Sequence, residues 1–246
     1  MIDIHSHVLP GIDDGSKSAE MSVQMLRESR RQGVEWMCFT PHFYADTTDP
    51  ATFLQRRKAA EELLIAEMKE PGIAFQNDPE VNGSFPGFIL GSEVHYYRGI
   101  GRSEDIRSLC LGKSSFFLLE PPFRDWTGAF LEDVRTLRDE LDLRVIIAHI
   151  ERYLDQDKRL VRELLDEPGI YIQSNAEAFI DRKTRKKVMK LLQEEKIDFL
   201  GTDCHNMTYR PPNMLDAWEI IEDKLGSGAL ERLEDNSFVL IERARG

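Results

Sequence analysis

The feature that most constrains the fold is a regular alternation of apolar, β-rich runs with segments of helical periodicity. We expect seven strands, at residues 1–5, 35–40, 88–93, 114–120, 144–149, 169–174 and 197–202. Most of these runs are continuously apolar, which is typical of parallel strands buried on both faces. The chain has 246 residues, a common length for one (β/α) barrel. The pattern therefore predicts an α/β fold, with residues 1–246 as one domain and a parallel sheet closed into a barrel.

Helical patterns fill the intervals between the predicted strands. Asp49 and Pro50 are expected to begin one helix as its N-cap and first residue, and Thr127 to cap another. A helix over residues 18–32 is expected to stop at Gly33. Further helices are predicted at 155–167, 183–195 and 212–235.

Composition narrows the class of partner and the compartment. The formal net charge of −12 argues against a nucleic-acid partner. No apolar run approaches the roughly 20 residues that cross a bilayer, and the first predicted strand leaves no room for a signal peptide. The three cysteines are too widely spaced for a disulfide framework, so we expect a reducing cytoplasm.

Five of the six histidines stand where a predicted strand ends. They are His5, His7, His42, His149 and His205. Alternate residues at a strand terminus point the same way, so the first two are expected to face one spot. His95 is the exception, and we expect it simply to cover its loop.

Three carboxylates, Glu93, Glu120 and Asp203, also stand at predicted strand ends. In a parallel barrel these ends converge on one face. An ionised carboxylate that terminates an apolar run must be paired or coordinated. Five imidazoles and three carboxylates suit Mn²⁺, Fe²⁺ or Zn²⁺. They exceed what one ion needs, so two or three divalent ions are predicted.

Two arginines follow the predicted ligands closely. Arg152 comes three residues after His149, and Arg210 comes five residues after His205. Guanidinium groups recognise phosphate with paired donors, so a phosphate ester is the predicted substrate. The loop after the first strand adds Asp13 and Asp14, one of which is the candidate general acid for the leaving oxygen.

These segments resemble the polymerase and histidinol phosphatase (PHP) superfamily. More closely, the chain is similar to the bacterial manganese-dependent protein-tyrosine phosphatases of the CpsB/YwqE type, from capsule and exopolysaccharide clusters. The matching segments are Ile2-Asp3-Ile4-His5-Ser6-His7, Asp13-Asp14-Gly15, Thr40-Pro41-His42, Gly91-Ser92-Glu93, Leu118-Leu119-Glu120, His149-Ile150-Glu151-Arg152-Tyr153, Asp203-Cys204-His205-Asn206 and Arg210-Pro211-Pro212.

The resemblance implies a distorted seven-stranded (β/α) TIM-like barrel with a trinuclear centre, most often of Mn²⁺. Carried over by position, the metal ligands are His5, His7, His42, Glu93, Glu120, His149, Asp203 and His205. Arg152 and Arg210 would clamp the phosphoryl group, and Asp14 is the candidate acid. A hydroxide that bridges two metal ions would attack phosphorus in line. The implied partner is the tyrosine-rich tail of a membrane-associated tyrosine autokinase that regulates polysaccharide export.

The chain departs from the family pattern in residues 76–87, which look longer than the usual link before the Glu93 strand. We expect this insertion to lie near the mouth of the site and to affect substrate preference.

Three alternative functions stay open at this point. Cys204 and Arg210 have the Cys-x5-Arg spacing of thiol-dependent tyrosine phosphatases, but the five residues between them include no glycine for a phosphate-binding loop. A second alternative keeps the metals and takes a small phosphate monoester such as histidinol phosphate. A third is a non-catalytic PHP binding module, against which the intact ligand set argues.

Overall fold

The computed structural model describes residues 1–69, 75–81 and 83–246. Its strands are β1 Ile2–Ser6, β2 Trp36–Phe39, β3 His42–Phe43, β4 Gly87–Leu90, β5 Glu93–His95, β6 Phe116–Glu120, β7 Arg144–Ile147, β8 Tyr171–Asn175 and β9 Phe199–Gly201. Each of the seven predicted runs contains a strand. Two short strands, β3 and β5, were not predicted. Each is separated from the preceding strand by two residues that are not in a strand.

All the paired strands are parallel, as their apolar character predicted. They form two curled sheets, with orders β1-β2-β4 and β3-β5-β6-β7-β8-β9. The α/β class is therefore confirmed, whereas a closed seven-stranded barrel is not. The physical reason is that the chain leaves the first sheet after β2 and after β4, and joins the second as β3 and β5.

Eight α-helices lie in the described part of the chain: α1 Ala19–Arg31, α2 Pro50–Met68, α3 Gly128–Asp139, α4 Lys158–Leu165, α5 Ala176–Ile180, α6 Arg185–Gln193, α7 Met214–Leu225 and α8 Ser227–Arg245. Short 3-10 helices cover Ile100–Arg102, Glu104–Leu109 and Ile150–Tyr153. Across these residues we find no helix with the length and apolar character needed to span a membrane.

The predicted helix signals are largely confirmed. Asp49 caps α2, accepting a hydrogen bond from the Thr52 N–H at 3.0 Å. Gly33 follows α1 with a φ of 89°, a left-handed conformation that glycine adopts without steric cost. Thr127 occupies the N-cap position of α3, but its side chain makes no capping hydrogen bond.

The helix predictions differ from the structure in two places. The segment 212–235 holds two helices, α7 and α8, because Gly226 takes a φ of 76° and breaks the helix. Helix α5 directly follows β8 and was not predicted, since it has only five residues.

The segment 76–87 lies at the end of the fold opposite to the predicted site, with Asn82 outside the described residues. Asn77 exchanges two hydrogen bonds, both of 2.7 Å, with the backbone of Phe88 at the start of β4. Arg30, at the C-terminal end of α1, donates to the Gly83 carbonyl at 3.2 Å. These contacts are at the amino ends of the strands, so the expectation of an insertion at the site mouth was wrong.

A buried apolar cluster fills the space between the inner faces of the strands and α8. Its members are Ile4, Cys38, Ile89, Leu111, Phe116, Leu118, Ile146, Ala148, Phe199, Leu240, Ile241 and Ala244. Because the members of this cluster are all buried and pack together, they fix the strands beneath the residues that follow their carboxyl ends.

Candidate metal centre

All eight predicted ligands meet at the carboxyl ends of the strands. Three overlapping groups of side chains bring their ligand atoms within 4.8 Å of one another. The groups are His7-Asp14-His42-His205, His5-His7-Glu93 and His42-Glu93-Glu120. His149 and Asp203 join them through contacts to Glu93 and His7 respectively.

Glu93, the first residue of β5, is the centre of the arrangement. Its Oε2 lies 2.9 Å from His42 Nδ1, 3.2 Å from His5 Nε2 and 3.3 Å from His7 Nε2. Its Oε1 lies 2.7 Å from His149 Nε2. One carboxylate thus contacts four imidazoles from three segments of the chain, so it could be shared by more than one bound ion.

The bonding of Glu93 fits a cation better than a proton. Glu93 Oε2 and His42 Nδ1 are only 2.9 Å apart, yet both are buried and neither is in hydrogen-bond geometry with any partner. Buried polar atoms are rarely left unpaired, and an ion held between them would satisfy both. Burial opposes ionisation of Glu93, but the neighbouring imidazoles outweigh it and hold its pKa well below the usual range.

Asp203 divides its two oxygens between the imidazoles and the arginines. Oδ1 lies 3.3 Å from His7 Nε2. Oδ2 accepts from Asn175 Nδ2 at 2.9 Å and from Arg152 Nη2 at 2.5 Å, and Arg210 Nη2 also reaches it. Asp203 has a φ of 53°, a sparsely populated conformation for a non-glycine residue, which the surrounding contacts must hold.

The two aspartates after β1 take different places. Asp14 Oδ1 lies 3.3 Å from His205 Nε2 and 3.5 Å from His42 Nε2, so this carboxylate lies at the edge of the cluster, beside two of the predicted ligands. Asp13 is 2.7 Å from His7 Nδ1 and also accepts the His42 N–H at 3.0 Å. Asp13 therefore orients the His7 imidazole and holds the backbone that carries His42, a role that the sequence did not distinguish from that of Asp14.

Strand β8 contributes no predicted ligand but connects three of them. Gln173 Oε1 accepts the His149 N–H at 2.7 Å and lies 3.3 Å from His5 Nδ1. Gln173 Nε2 donates to Asn175 Oδ1 at 2.9 Å, and Asn175 in turn holds Asp203. If His5 Nδ1 carries the proton, its Nε2 is free to bind a metal ion. The signal that sequence reasoning missed is an amide within a buried strand.

His95 was expected simply to cover its loop, but it also contacts one of the predicted ligands. Its Nδ1 lies 2.9 Å from Glu120 Oε2, while the other oxygen of Glu120 lies 3.5 Å from His149 Nε2. His95 thus supports Glu120 from outside the ligand set.

Cys204 is badly placed for nucleophilic chemistry. The residue is fully buried and belongs to the large apolar core cluster. Burial raises the pKa of its thiol, the reverse of what a thiolate nucleophile requires. Arg210 contacts Asp203 and His205, so Cys204 and Arg210 do not form a phosphate-binding loop.

Sequence comparison places the chain in a family. Residues 1–242 match the sequence profile of the family described as "Capsular polysaccharide synthesis, CpsB/CapC". The chain belongs to the CpsB/CapC family. Among its relatives, the tyrosine-protein phosphatase CpsB of Streptococcus pneumoniae is 30% identical over 253 residues, covering 98% of each chain. The tyrosine-protein phosphatase YwqE of Bacillus subtilis is 29% identical, covering 98% of this chain and 91% of YwqE.

Solved structures agree with this family assignment at the level of the fold. One comes from work on YwqE of B. subtilis and CpsB of S. pneumoniae, which are described there as unique metal-dependent tyrosine phosphatases. It matches with a TM-score of 0.79 at 24% identity, over 99% of this chain and 95% of the other. The phosphotriesterase homology protein of Escherichia coli, solved with phosphate in its active site, matches with a TM-score of 0.55 at 12% identity, over 96% of this chain and 97% of the other.

Proposed function

We propose that this CpsB/CapC family member is a metal-dependent protein-tyrosine phosphatase, a hydrolase of phosphate monoesters. The observation that carries the proposal is the buried cluster around Glu93, whose Oε2 has close imidazole neighbours but no hydrogen bond. Two arginines next to this cluster add a site for phosphate. Support also comes from relatives named tyrosine-protein phosphatases that align over most of their length.

The proposed metal ligands are those of the sequence prediction: His5, His7, His42, Glu93, Glu120, His149, Asp203 and His205. This mixture of nitrogen and oxygen donors suits Mn²⁺, Fe²⁺ or Zn²⁺. The resemblance to the manganese-dependent phosphatases favours Mn²⁺ among them. Two or three such ions would lower the pKa of a coordinated water and so supply a nucleophile at neutral pH.

The chain's own residues would bind and orient the phosphoryl group. Arg152 and Arg210 both point at Asp203 Oδ2, and both side chains are more than a third exposed, so incoming phosphate oxygens can reach them. Each guanidinium would then stabilise charge that develops on the phosphoryl oxygens. Asp14 stays the candidate proton donor, with a side chain that is 67% exposed at the rim. Because tyrosinate is a good leaving group, its contribution would be modest.

The remaining proposals concern architecture and context. If β2–β3 and β4–β5 are counted as two interrupted strands, the sheets together make a distorted seven-stranded barrel in one domain. Hydrogen bonds from Asp203 N–H to His5 O (2.8 Å) and from His7 N–H to Cys204 O (2.9 Å), which join β9 to β1, support this closure.

The proposed substrate is the tyrosine-rich tail of a bacterial tyrosine kinase that controls capsule synthesis. Three unpaired buried cysteines suit the cytoplasm.

A chelation experiment tests the proposal. Protein stripped with a strong chelator is expected to lose hydrolysis of a phosphotyrosine peptide and to regain it with Mn²⁺. The activity of Glu93→Gln should not recover with Mn²⁺. The activity of Glu163→Gln should recover fully, because this variant alters a carboxylate on α4 that pairs with Arg135. Activity that survives complete chelation would contradict the metal mechanism. A strong preference for histidinol phosphate over the peptide would contradict the substrate class.

A further inference from the structure

An open groove of about 590 Å³ lies beside the metal centre on the side of Glu120. Its aromatic and apolar lining comes from Tyr44, His95, Tyr96, Tyr97, Pro122 and Phe123, and we call it the aryl groove. The charged side chains of Asp46, Arg98 and Arg124 also line it. None of these residues belongs to the predicted ligand set.

Phe123 is the unusual member of the aryl groove. Its side chain is 66% exposed, although a phenyl ring ordinarily gains by burial. The ring is stacked near that of His95, with centroids 5.6 Å apart and planes at 28°. A third ring, that of Tyr44, lies 5.4 Å from His95. Offset and tilted faces at these distances leave room for one more ring to pack against them.

The groove is held in shape before any ligand arrives. The Tyr96 hydroxyl donates to Asp133 Oδ2 at 2.7 Å, and the Tyr96 N–H donates to the Glu120 carbonyl at 2.9 Å. The contact of His95 Nδ1 with Glu120 Oε2 fixes the imidazole that forms part of the lining. A preformed wall lowers the entropic cost of binding.

The aryl groove is continuous with the metal centre. Tyr44 lies 5.3 Å from the ring of His42, and His95 contacts Glu120 directly. A substrate group that extends from the metal centre on this side would therefore meet the rings of Tyr44 and His95.

The other pocket at the centre has a different character. It has a volume of about 280 Å³ and lies beside Arg152 and Arg210, where it is also lined by the carboxylates of Glu151, Glu177 and Asp181. Its lining is mostly polar, whereas that of the aryl groove is mostly apolar. It therefore suits the phosphoryl end of a substrate, and an apolar ring placed there would have to desolvate more polar surface.

We infer that the aryl groove binds the aromatic ring of the phosphate ester, with Phe123 as the residue that determines preference for aryl over alkyl groups. This inference rests on the proposed phosphatase function and adds the position of the ring. The phosphoryl group would contact the arginines next to Asp203, and the ring would extend past His42 and Glu120 onto Phe123.

Two non-hydrolysable ligands with the same anionic group test the inference. Phenylphosphonate and methylphosphonate are titrated calorimetrically into Mn²⁺-loaded protein. The wild type is expected to bind phenylphosphonate about tenfold more tightly, in line with the gain from one stacked ring. Phe123→Ala should reduce this ratio to about twofold or less, and Phe123→Trp should restore it, since tryptophan offers a ring face. Tyr209→Ala is the matched control, because Tyr209 is also exposed and aromatic but lines the pocket beside the arginines.

Several outcomes would overturn the inference. They are a wild type that binds both phosphonates equally or binds neither, a ratio that is unchanged in Phe123→Ala, and a ratio that is lost in Tyr209→Ala instead. The proposed function is read separately, from hydrolysis of a phosphotyrosine peptide by the same wild-type preparation. Retained hydrolysis with an unchanged ratio would refute the position of the ring and leave the phosphatase assignment standing.

Discussion

Gln173→Leu is the substitution that most directly tests whether β8 positions the metal ligands. The side chain is fully buried, and its amide makes three contacts. Its Oε1 accepts the His149 N–H at 2.7 Å and lies 3.3 Å from His5 Nδ1, while its Nε2 donates to Asn175 Oδ1 at 2.9 Å. Leucine has a similar volume, so the change removes the hydrogen bonds with little change in packing.

The expected effect has two separable parts. Each lost hydrogen bond is worth about 1 kcal/mol net, so the free energy of unfolding of the metal-free protein should fall by about 3 kcal/mol. In addition, His5 loses the partner that fixes its ring orientation and tautomer. Loss of such a partner typically weakens metal binding about 10- to 100-fold, which corresponds to about 1.4–2.8 kcal/mol.

Gln32→Leu is the matched control. Gln32 is also a buried glutamine with three hydrogen bonds, to Glu28, to the Pro212 carbonyl and from the Leu215 N–H, but none of them reaches a proposed ligand. Urea unfolding of the metal-free proteins should show a similar loss of stability in both variants. Calorimetric titration with Mn²⁺ should show weaker binding in Gln173→Leu alone.

Two outcomes of this experiment would contradict the prediction. If Gln173→Leu binds Mn²⁺ with wild-type affinity while losing stability like its control, then Gln173 merely contributes to folding. If both variants lose affinity equally, the effect is a general consequence of destabilisation, and β8 has no specific part in the site.

Three further predictions follow from single residues. Arg152→Ala or Arg210→Ala should each lower kcat/KM for a phosphotyrosine peptide, with a loss of about 2–4 kcal/mol of transition-state stabilisation. Undiminished activity would show that the arginine does not bind the phosphoryl group. Cys204→Ser should retain Mn²⁺-dependent turnover because the thiol is buried and its pKa is raised, whereas loss of turnover with full metal content would favour the thiol. Gly112→Ala should lower the free energy of unfolding by about 2 kcal/mol in urea melts, because Gly112 has a φ of 56° and its Cβ would lie 2.3 Å from the Ala244 carbonyl oxygen; unchanged stability would refute the steric argument.

The ligand set was predictable from sequence because its chemistry contradicts its surroundings. Glu93 and Glu120 each end an apolar run, where an isolated charge is costly. Their burial in the structure shows that the cost is real and must be offset locally. The imidazoles and carboxylates at successive strand ends therefore predicted that these side chains meet at one face of a parallel sheet.

The division of the sheet was not predictable in the same way. The runs 35–40 and 88–93 look like ordinary single strands, yet β2 ends at Phe39 and β4 ends at Leu90. Pro41 has no N–H to donate to a neighbouring strand, which gave a local hint at the first break. At the second break, a Cβ on Gly91 would lie 2.2 Å from the Leu111 side chain. That close approach involves a residue 20 positions away and cannot be seen in the local sequence.

The supporting residues were missed because their partners are distant or depend on a turn. Gln173 and His5 are 168 positions apart, so no spacing rule relates them. Asp13 is only six positions from His7, but its reach depends on the turn at Gly15, where a Cβ would lie 2.3 Å from the His7 carbonyl oxygen. Sequence therefore identified which side chains have unusual chemistry and left open which ones hold them in place.

The distribution of charge explains why the eight predicted ligands and the two arginines form one unit. Among the described residues, both arginines that enter the centre contact the same oxygen of Asp203. Within the part of the chain that the structure describes, the ion-pair partners of Glu93 and Glu120 are all imidazoles. An imidazole offsets a carboxylate only when it is protonated, and a protonated imidazole cannot bind a metal ion. Divalent ions resolve this conflict because they supply the positive charge while the imidazoles stay neutral. The arrangement that makes the apo site electrostatically costly is thus the same one that makes it selective for cations.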